Sequence, residues 1–247
     1  MANLEYESKY YEKGLTLIAG SDEAGRGPLA GPLVVAACIL PKGYQHELIN
    51  DSKKLTDKKR RMLYETIKKD ALAYHIEVID IETIDKINIY QASKLGMKIC
   101  LEKLSIKPEA ALLDAMNLDM DYPVESIIKG DEKSLSIAAA SILAKVYRGD
   151  LMIEYSKEYP QYQFDKNKGY GTKVHLEALD KYGITPLHRK TYEPVKSMLL
   201  LKITIYYNLT YSILTIKVNR TTTTIRTSCF ITLKITVCYS TFILKVN

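Results

Sequence analysis

The residues of this sequence best suited to chemistry are carboxylates set where apolar runs end. In IAGSDEAGRGPLAGP, residues 18–32, an apolar run delivers Asp22 and Glu23 to a Gly-rich turn. Two adjacent carboxylates are costly to bury together, because like charges repel and each loses hydration. A divalent cation removes that cost, and hard oxygen donors suit Mg²⁺ or Mn²⁺. Neighbours on a regular strand point to opposite faces, so both reach one site only where the strand bends or ends. Gly25 and Gly27 supply that freedom and leave backbone amides open to a phosphate or sugar. Asp114 closes a second apolar run, Ala110-Ala111-Leu112-Leu113, and Lys129-Gly130-Asp131 precedes a helix beginning at Ser134. Each acid has a plainer reading: an acidic strand end, a turn-forming Asp114, a helix-capping Asp131. Together, four carboxylates at the ends of successive elements form the pattern of a two-metal phosphodiesterase site.

The elements that must position them follow from periodicity. Residues 15–21 and 33–40 read as strands separated by the Gly/Pro-rich turn. Further strands are expected at 74–79, 110–114 and 124–129. Helical spacing marks 56–71, 89–104, 134–148 and 173–182, with another helix around Pro194. Apolar strands alternating with amphipathic helices predict an α/β fold for residues 1–199.

Composition narrows the class. Hydrophobic residues at 47% and charged residues at 26% are ordinary for a globular protein. Met1 to Lys13 is polar and unlike a signal peptide, and no run of about 18 apolar residues is present, so no membrane is expected and a cytoplasmic location is. Cys38 and Cys100 lie in apolar stretches and read as small core residues; Cys229 and Cys238 add no metal spacing. The net charge of +6 points to nucleic acid only until it is located. From Leu200 onward six bases meet no acid, so the body is neutral, with 29 bases against 29 acids. Phosphate binding there falls to local clusters, Lys53-Lys54 and His188-Arg189-Lys190. Residues 200–247 are rich in Thr, Ile, Tyr and Lys, lack Gly and Pro, and repeat LTIKVN (214–219) as FILKVN (242–247). This segment reads as low-complexity sequence appended to the domain, as by a frameshift or altered stop, ahead of a basic nucleic-acid-binding arm.

Six blocks in order carry a resemblance: SDEAGRGPLAGP, NDSKKLT, LLDA, IIKGDEKSLSIAAASILAKVYR, NKGYGTKVHLEAL and PLHRKTYEPVK. They resemble bacterial ribonuclease HII over about residues 15–198. The resemblance implies a ribonuclease H-like fold, with a mixed central sheet flanked by helices and a helical C-terminal portion. It implies a metal-dependent endonuclease acting on RNA/DNA hybrids and on DNA duplexes containing ribonucleotides, cutting 5′ to the ribonucleotide. Its four acids fall on Asp22, Glu23, Asp114 and Asp131, holding Mn²⁺ or Mg²⁺. Its ribonucleotide-sensing loop falls on Gly25, Arg26 and Gly27, and its sugar-packing tyrosine on Tyr170.

Physical reading agrees with that placement. Telling RNA from DNA needs contacts to the 2′-OH, which both donates and accepts. A planar Tyr170 can pack on a deoxyribose and disfavour a ribose there. Lys53 can neutralise a phosphate or hold a carboxylate, while His188 and Arg189 are expected to grip phosphates. A general base at His188 is less favoured, since a divalent cation can itself activate water. The chain is read as a monomer, and the sequence identifies no protein partner such as a sliding clamp. One departure is Gly149, where the family has Asp, from which a modest loss of stability or substrate positioning is expected. The rival readings are ribonuclease HIII, which prefers longer RNA and for whose extra domain the N-terminal segment before Leu15 leaves no room, and a catalytically dead nucleic-acid binder.

Overall fold

A strand that is apolar at every position must be covered on both faces, whereas a half-buried strand alternates. The run Leu33–Ile39 is of the first kind, and it takes a place inside the sheet. The structure is a computed structural model that describes residues 2–49 and 55–200. Its strands are β1 (Ile18–Ala24), β2 (Leu33–Ile39), β3 (Ala73–Ile79), β4 (Ala110–Asp114) and β5 (Val124–Ile127). Among the described residues they form one mixed sheet of order β3-β2-β1-β4-β5. The β1–β2 and β2–β3 pairs are antiparallel; β1–β4 and β4–β5 are parallel.

The helices are α1 (Glu5–Tyr11), α2 (Asp57–Asp70), α3 (Ile81–Ile87), α4 (Ile89–Glu102), α5 (Gly130–Lys133), α6 (Leu135–Glu158), α7 (Phe164–Asn167) and α8 (Lys173–Tyr182). Residues 195–200 are helical as well, as expected around Pro194. β2 shows how the layers are built. Leu33, Val35, Ala37 and Ile39 pack with Ala92, Met97 and Cys100 of α4 on one face. Val34, Ala36 and Cys38 pack with Leu63 and Ile67 of α2 and with α6 on the other. Cys38 and Cys100 are buried free thiols inside these two cores, as expected. No helix among the described residues is long and apolar enough to cross a membrane.

α6 is the element that organises the site. It is buried nearly all round from Leu135 to Ala144, so it lies inside the protein rather than on it. Gly20 of β1 permits this: a Cβ there would stand 2.1 Å from the backbone carbonyl carbon of Ser136. Only glycine lets the helix rest directly on the strand. α1, which the sequence reading described only as polar and assigned no element, holds the start of α6. The Glu7 side chain is fully buried, and its Oε1 accepts hydrogen bonds from Ser134 Oγ (2.7 Å) and Ser136 N (3.0 Å). A carboxylate at a helix N-terminus meets both free amides and the positive end of the helix dipole.

The strands differ from expectation chiefly at β1, which runs to Ala24 instead of stopping at Ser21. Its ladder with β2 stays in register through Asp22 opposite Ala36 and Glu23 opposite Val35. The two acids therefore sit inside a strand rather than beyond its end. α6 is also longer than expected, reaching Glu158 rather than Arg148, because nothing at Gly149 breaks it. A Cβ at Gly149 would meet nothing within 4 Å. Glycine is required there by neither space nor backbone. Gly149→Ala is thus expected to gain about 1 kcal/mol from helix propensity, a rise in melting temperature of roughly 3 °C. A calorimetric scan that shows no rise would mean that α6 is locally open at this position.

The tail reading for residues 200–247 lies outside the described residues but for Leu200. So do Lys53, the Lys53-Lys54 cluster, Cys229 and Cys238.

Candidate active site

The parallel register of β1 and β4 pairs Ser21 with Leu113, so the next residues, Asp22 and Asp114, emerge side by side. Asp22 is 4% exposed, and the Glu23 side chain 6%. Burial pushes the Asp22 carboxyl well above the usual carboxylate range; the charges of Glu23 and Asp114 push it further, and Lys145 and Ser141 oppose them. Burial also raises Glu23, with Arg26 opposing it through a 3.1 Å ion pair. The structure thus brings Asp22, Glu23 and Asp114 into one electrostatic group. Asp131, in α5, is buried and joins them through Lys145, whose Nζ lies 3.8 Å from Asp131 Oδ2. The turn carrying Asp131 is tied to Asp114 directly, because Gly130 N donates to Asp114 Oδ1 at 2.7 Å.

These four residues supply hard oxygen donors only, the set that suits Mg²⁺ or Mn²⁺. Glu23 Oε2 is buried and has no hydrogen-bond partner among the described residues. Such an oxygen is costly unless something positive meets it. As placed, no three His, Cys, Asp or Glu side chains among the described residues are grouped tightly enough to hold an ion. The donors fit a divalent cation in kind, and burial raises the proton affinity of Asp22 and Glu23 despite the nearby charges of Lys145 and Arg26.

Beside the acids runs the loop 25–31, held from behind by two buried arginines. Gly25 has φ +101°, and a Cβ on it would meet Arg148 Nε at 2.1 Å, so only glycine fits both the turn and its neighbour. Arg148 donates to the carbonyls of Pro32 (2.9 Å), Lys168 (2.9 Å) and Ala30 (3.1 Å). Arg189 donates to those of Gly25 (2.6 Å), Arg26 (2.9 Å) and Gly31 (2.9 and 3.1 Å). Tyr170 follows Gly169 and is half exposed. Its ring edge would lie 3.5 Å from a Cβ on Gly27, which places it against the Gly25–Gly27 loop.

Two expectations are corrected here. His188 and Arg189 are both fully buried and cannot grip a phosphate. Arg189 spends its guanidinium on backbone carbonyls, and His188 is bonded to Thr185 and His175. Their part in the site is to hold the loop and its neighbours from within.

With this geometry in view, the comparisons are direct. A family model described as Ribonuclease HII matches residues 19–195. The chain is 55% identical over 195 residues to the ribonuclease HII of Enterococcus faecalis, covering 79% of this chain and 76% of that protein. It is also 55% identical over 197 residues to that of Acholeplasma laidlawii, covering 80% and 97%. The crystal structure of ribonuclease H2 from Pyrococcus horikoshii superposes with a TM-score of 0.65 at 26% identity, over 73% of this chain and 96% of that one. The chain belongs to the ribonuclease HII family.

As a member, it is a ribonuclease H: a metal-dependent endonuclease that hydrolyses RNA in RNA/DNA hybrids and incises at ribonucleotides in DNA. The matched region spans β1 to the helix at residue 195, so it contains all four acids, the loop and Tyr170. The sequence reading missed Arg148, which holds the loop, and three further residues of the site. Lys145 and Ser141 were overlooked although they stand four apart on α6, and Lys145 Nζ donates to Ser141 Oγ at 2.8 Å. Their signal was a polar pair one turn apart in the mostly apolar first half of the helix. His175 gave none, since the partner that explains it is 13 residues away.

Proposed function

We propose that Asp22, Glu23, Asp114 and Asp131 hold Mg²⁺ or Mn²⁺, and that the enzyme cuts 5′ to a ribonucleotide, leaving a 3′-hydroxyl and a 5′-phosphate. The observation that carries this reading is the electrostatic coupling of buried Asp22 to Glu23 and Asp114, with Glu23 Oε2 buried and left without a hydrogen-bond partner among the described residues. When bound, the cation supplies an activated water and neutralises charge on the leaving 3′ oxygen. Lys145, between Asp22 and Asp131, balances part of the carboxylate charge and keeps the site compact.

Substrate selection falls to the loop and Tyr170. Arg189 occupies the carbonyls of Gly25 and Arg26, so amide N–H groups are the loop's backbone donors to a 2′-OH. Tyr170, against Gly27, packs on the adjoining deoxyribose. Lys53 contacts phosphate or a carboxylate, which the block around it supports by resemblance alone. Residues 200–247 stand outside the catalytic domain, a reading supported by a family match that ends at residue 195. A monomer located in the cytoplasm fits this substrate class.

The test is cleavage of a DNA duplex holding one ribonucleotide, beside a full RNA/DNA hybrid, with and without Mg²⁺ or Mn²⁺. Metal-dependent incision 5′ to the lone ribonucleotide is expected. Cleavage of the hybrid alone would transfer the chain to the long-RNA preference, and cleavage without added metal would overturn the role of the acids.

A further inference from the structure

Two of the four histidines, His175 and His188, are fully buried and lie with their Nε2 atoms 3.0 Å apart. The two ends of this pair fix where its protons are. Thr185 N is 2.9 Å from His188 Nδ1, and a backbone N–H can only donate, so His188 Nδ1 accepts. A neutral His188 then carries its proton on Nε2 and donates it to His175 Nε2. His175 in turn carries its proton on Nδ1, which lies 2.8 Å from the Tyr170 carbonyl, a group that only accepts. Every donor of the relay meets an acceptor in this arrangement, with the Thr185 hydroxyl also 2.9 Å from His188 Nδ1. A proton added to either ring sets donor against donor, at Thr185 N–H or between the two rings.

The surroundings favour the same state. The rings of Tyr162 and Phe164 enclose the pair, at centroid distances of 5.1 to 6.1 Å. The Tyr162 hydroxyl is turned away, donating to the Gly183 carbonyl, and the Tyr182 ring packs beyond it. The adjacent Arg189 directs its guanidinium to the loop carbonyls and to Tyr192, and Arg148 directs its own to those of Ala30, Pro32 and Lys168. No carboxylate among the described residues offsets the burial. Burial and then the His175 ring push His188 down to about 4, and burial lowers His175 as well.

We propose that His175 and His188 are positioning residues for Tyr170: a hydrogen-bond relay from Thr185 N–H to the Tyr170 carbonyl that fixes the ring beside Gly27. The inference rests on reading Tyr170 as the sugar-packing residue. Its ring is half exposed and needs an anchor, and the carbonyl that receives the relay belongs to that same residue. The relay thereby sets the preference for a deoxyribose next to the ribonucleotide, without touching substrate.

The test compares His175→Leu, His175→Asn and Tyr170→Ala in the full chain with Mg²⁺. His175→Leu keeps the volume but loses the bond to Tyr170. His175→Asn places an amide donor where Nδ1 stood. His175→Leu is expected to raise KM for the lone-ribonucleotide duplex about tenfold relative to the full hybrid, with kcat changed less, and His175→Asn to recover most of it. ¹⁵N spectra of the wild type should show both histidines neutral at pH 6, with protons on His175 Nδ1 and His188 Nε2. The opposite tautomers, or a charged ring at pH 6, overturn the relay whether or not any variant folds. A folded His175→Leu with unchanged preference, where Tyr170→Ala does change it, overturns the positioning role. An unchanged preference in Tyr170→Ala removes instead the reading of Tyr170 on which the relay depends.

Discussion

Replacing Asp22 with asparagine is expected to lower cleavage on the order of 10³-fold or more, about 4 kcal/mol of transition-state stabilisation, while raising the melting temperature of the metal-free protein. The two effects have one cause. Asp22 is held at 4% exposure against Glu23 and Asp114, and this crowding raises its proton affinity. A group whose pKa is raised on folding binds its proton more tightly folded than unfolded. Its ionised form therefore weakens the fold, by an amount that grows as pH rises from the usual carboxylate range through the raised values of Asp22 and Glu23. The amide of asparagine removes one charge from the group and keeps an oxygen for the bond from Glu23 N, 2.7 Å away. The metal-free variant should therefore lose less stability between pH 5 and pH 8 than the wild type. Mg²⁺ should stabilise the wild type more than the variant, since a ligand stabilises only the form it binds. Thermal melts with and without Mg²⁺, beside single-turnover cleavage, measure both. Substantial turnover in Asp22→Asn, or a lower metal-free melting temperature, would contradict the placement of this acid.

What could be read from the sequence was local, and what could not was long-range. The apolar runs at residues 15–21 and 110–114 announced strands, and the acids at their ends were legible because charge after a buried run is conspicuous. Glu23 was foreseen, but not its position within β1, since the pairing that extends the strand to Ala24 is made by β2. α1 was assigned no element because its reason for being helical, Glu7 buried beneath Ser134 and Ser136, is 127 residues away in the chain. His188-Arg189-Lys190 looked like a phosphate grip because a run of basic side chains is normally solvated. Burial is the product of tertiary packing, and here Leu29, Ala30 and Val195 join the aromatic cluster of the C-terminal helices to enclose the first two. Lys190 remains exposed. Family motifs recovered part of this, since the resemblance located the loop and Tyr170, which periodicity could not.

Arg189→Met is expected to cost about 3 kcal/mol, a fall in melting temperature of roughly 10 °C, and to lower kcat/KM on every substrate. Methionine fills much of the same space but offers no donor. The carbonyls of Gly25 and Gly31 would lose the guanidinium that meets them at 2.6 to 3.1 Å, while that of Arg26 keeps a bond from the Tyr192 hydroxyl at 2.8 Å. An orphaned buried carbonyl costs about 1–3 kcal/mol, and relief of the buried cation's own desolvation offsets part of that. Lysine would not restore the wild type, because one ammonium cannot serve carbonyls in three directions and is harder to dehydrate than a guanidinium. The same experiment separates the two roles open to this residue. A phosphate-gripping arginine would leave the melting temperature unchanged and reduce the salt dependence of substrate binding by about one charge. A loop-holding arginine lowers stability and slows single-ribonucleotide and hybrid cleavage together, because the Gly25–Gly27 loop serves both. Unchanged stability with a reduced salt slope would return Arg189 to the substrate surface. A stability loss with the salt slope intact would leave it where its four short bonds put it, beneath the loop.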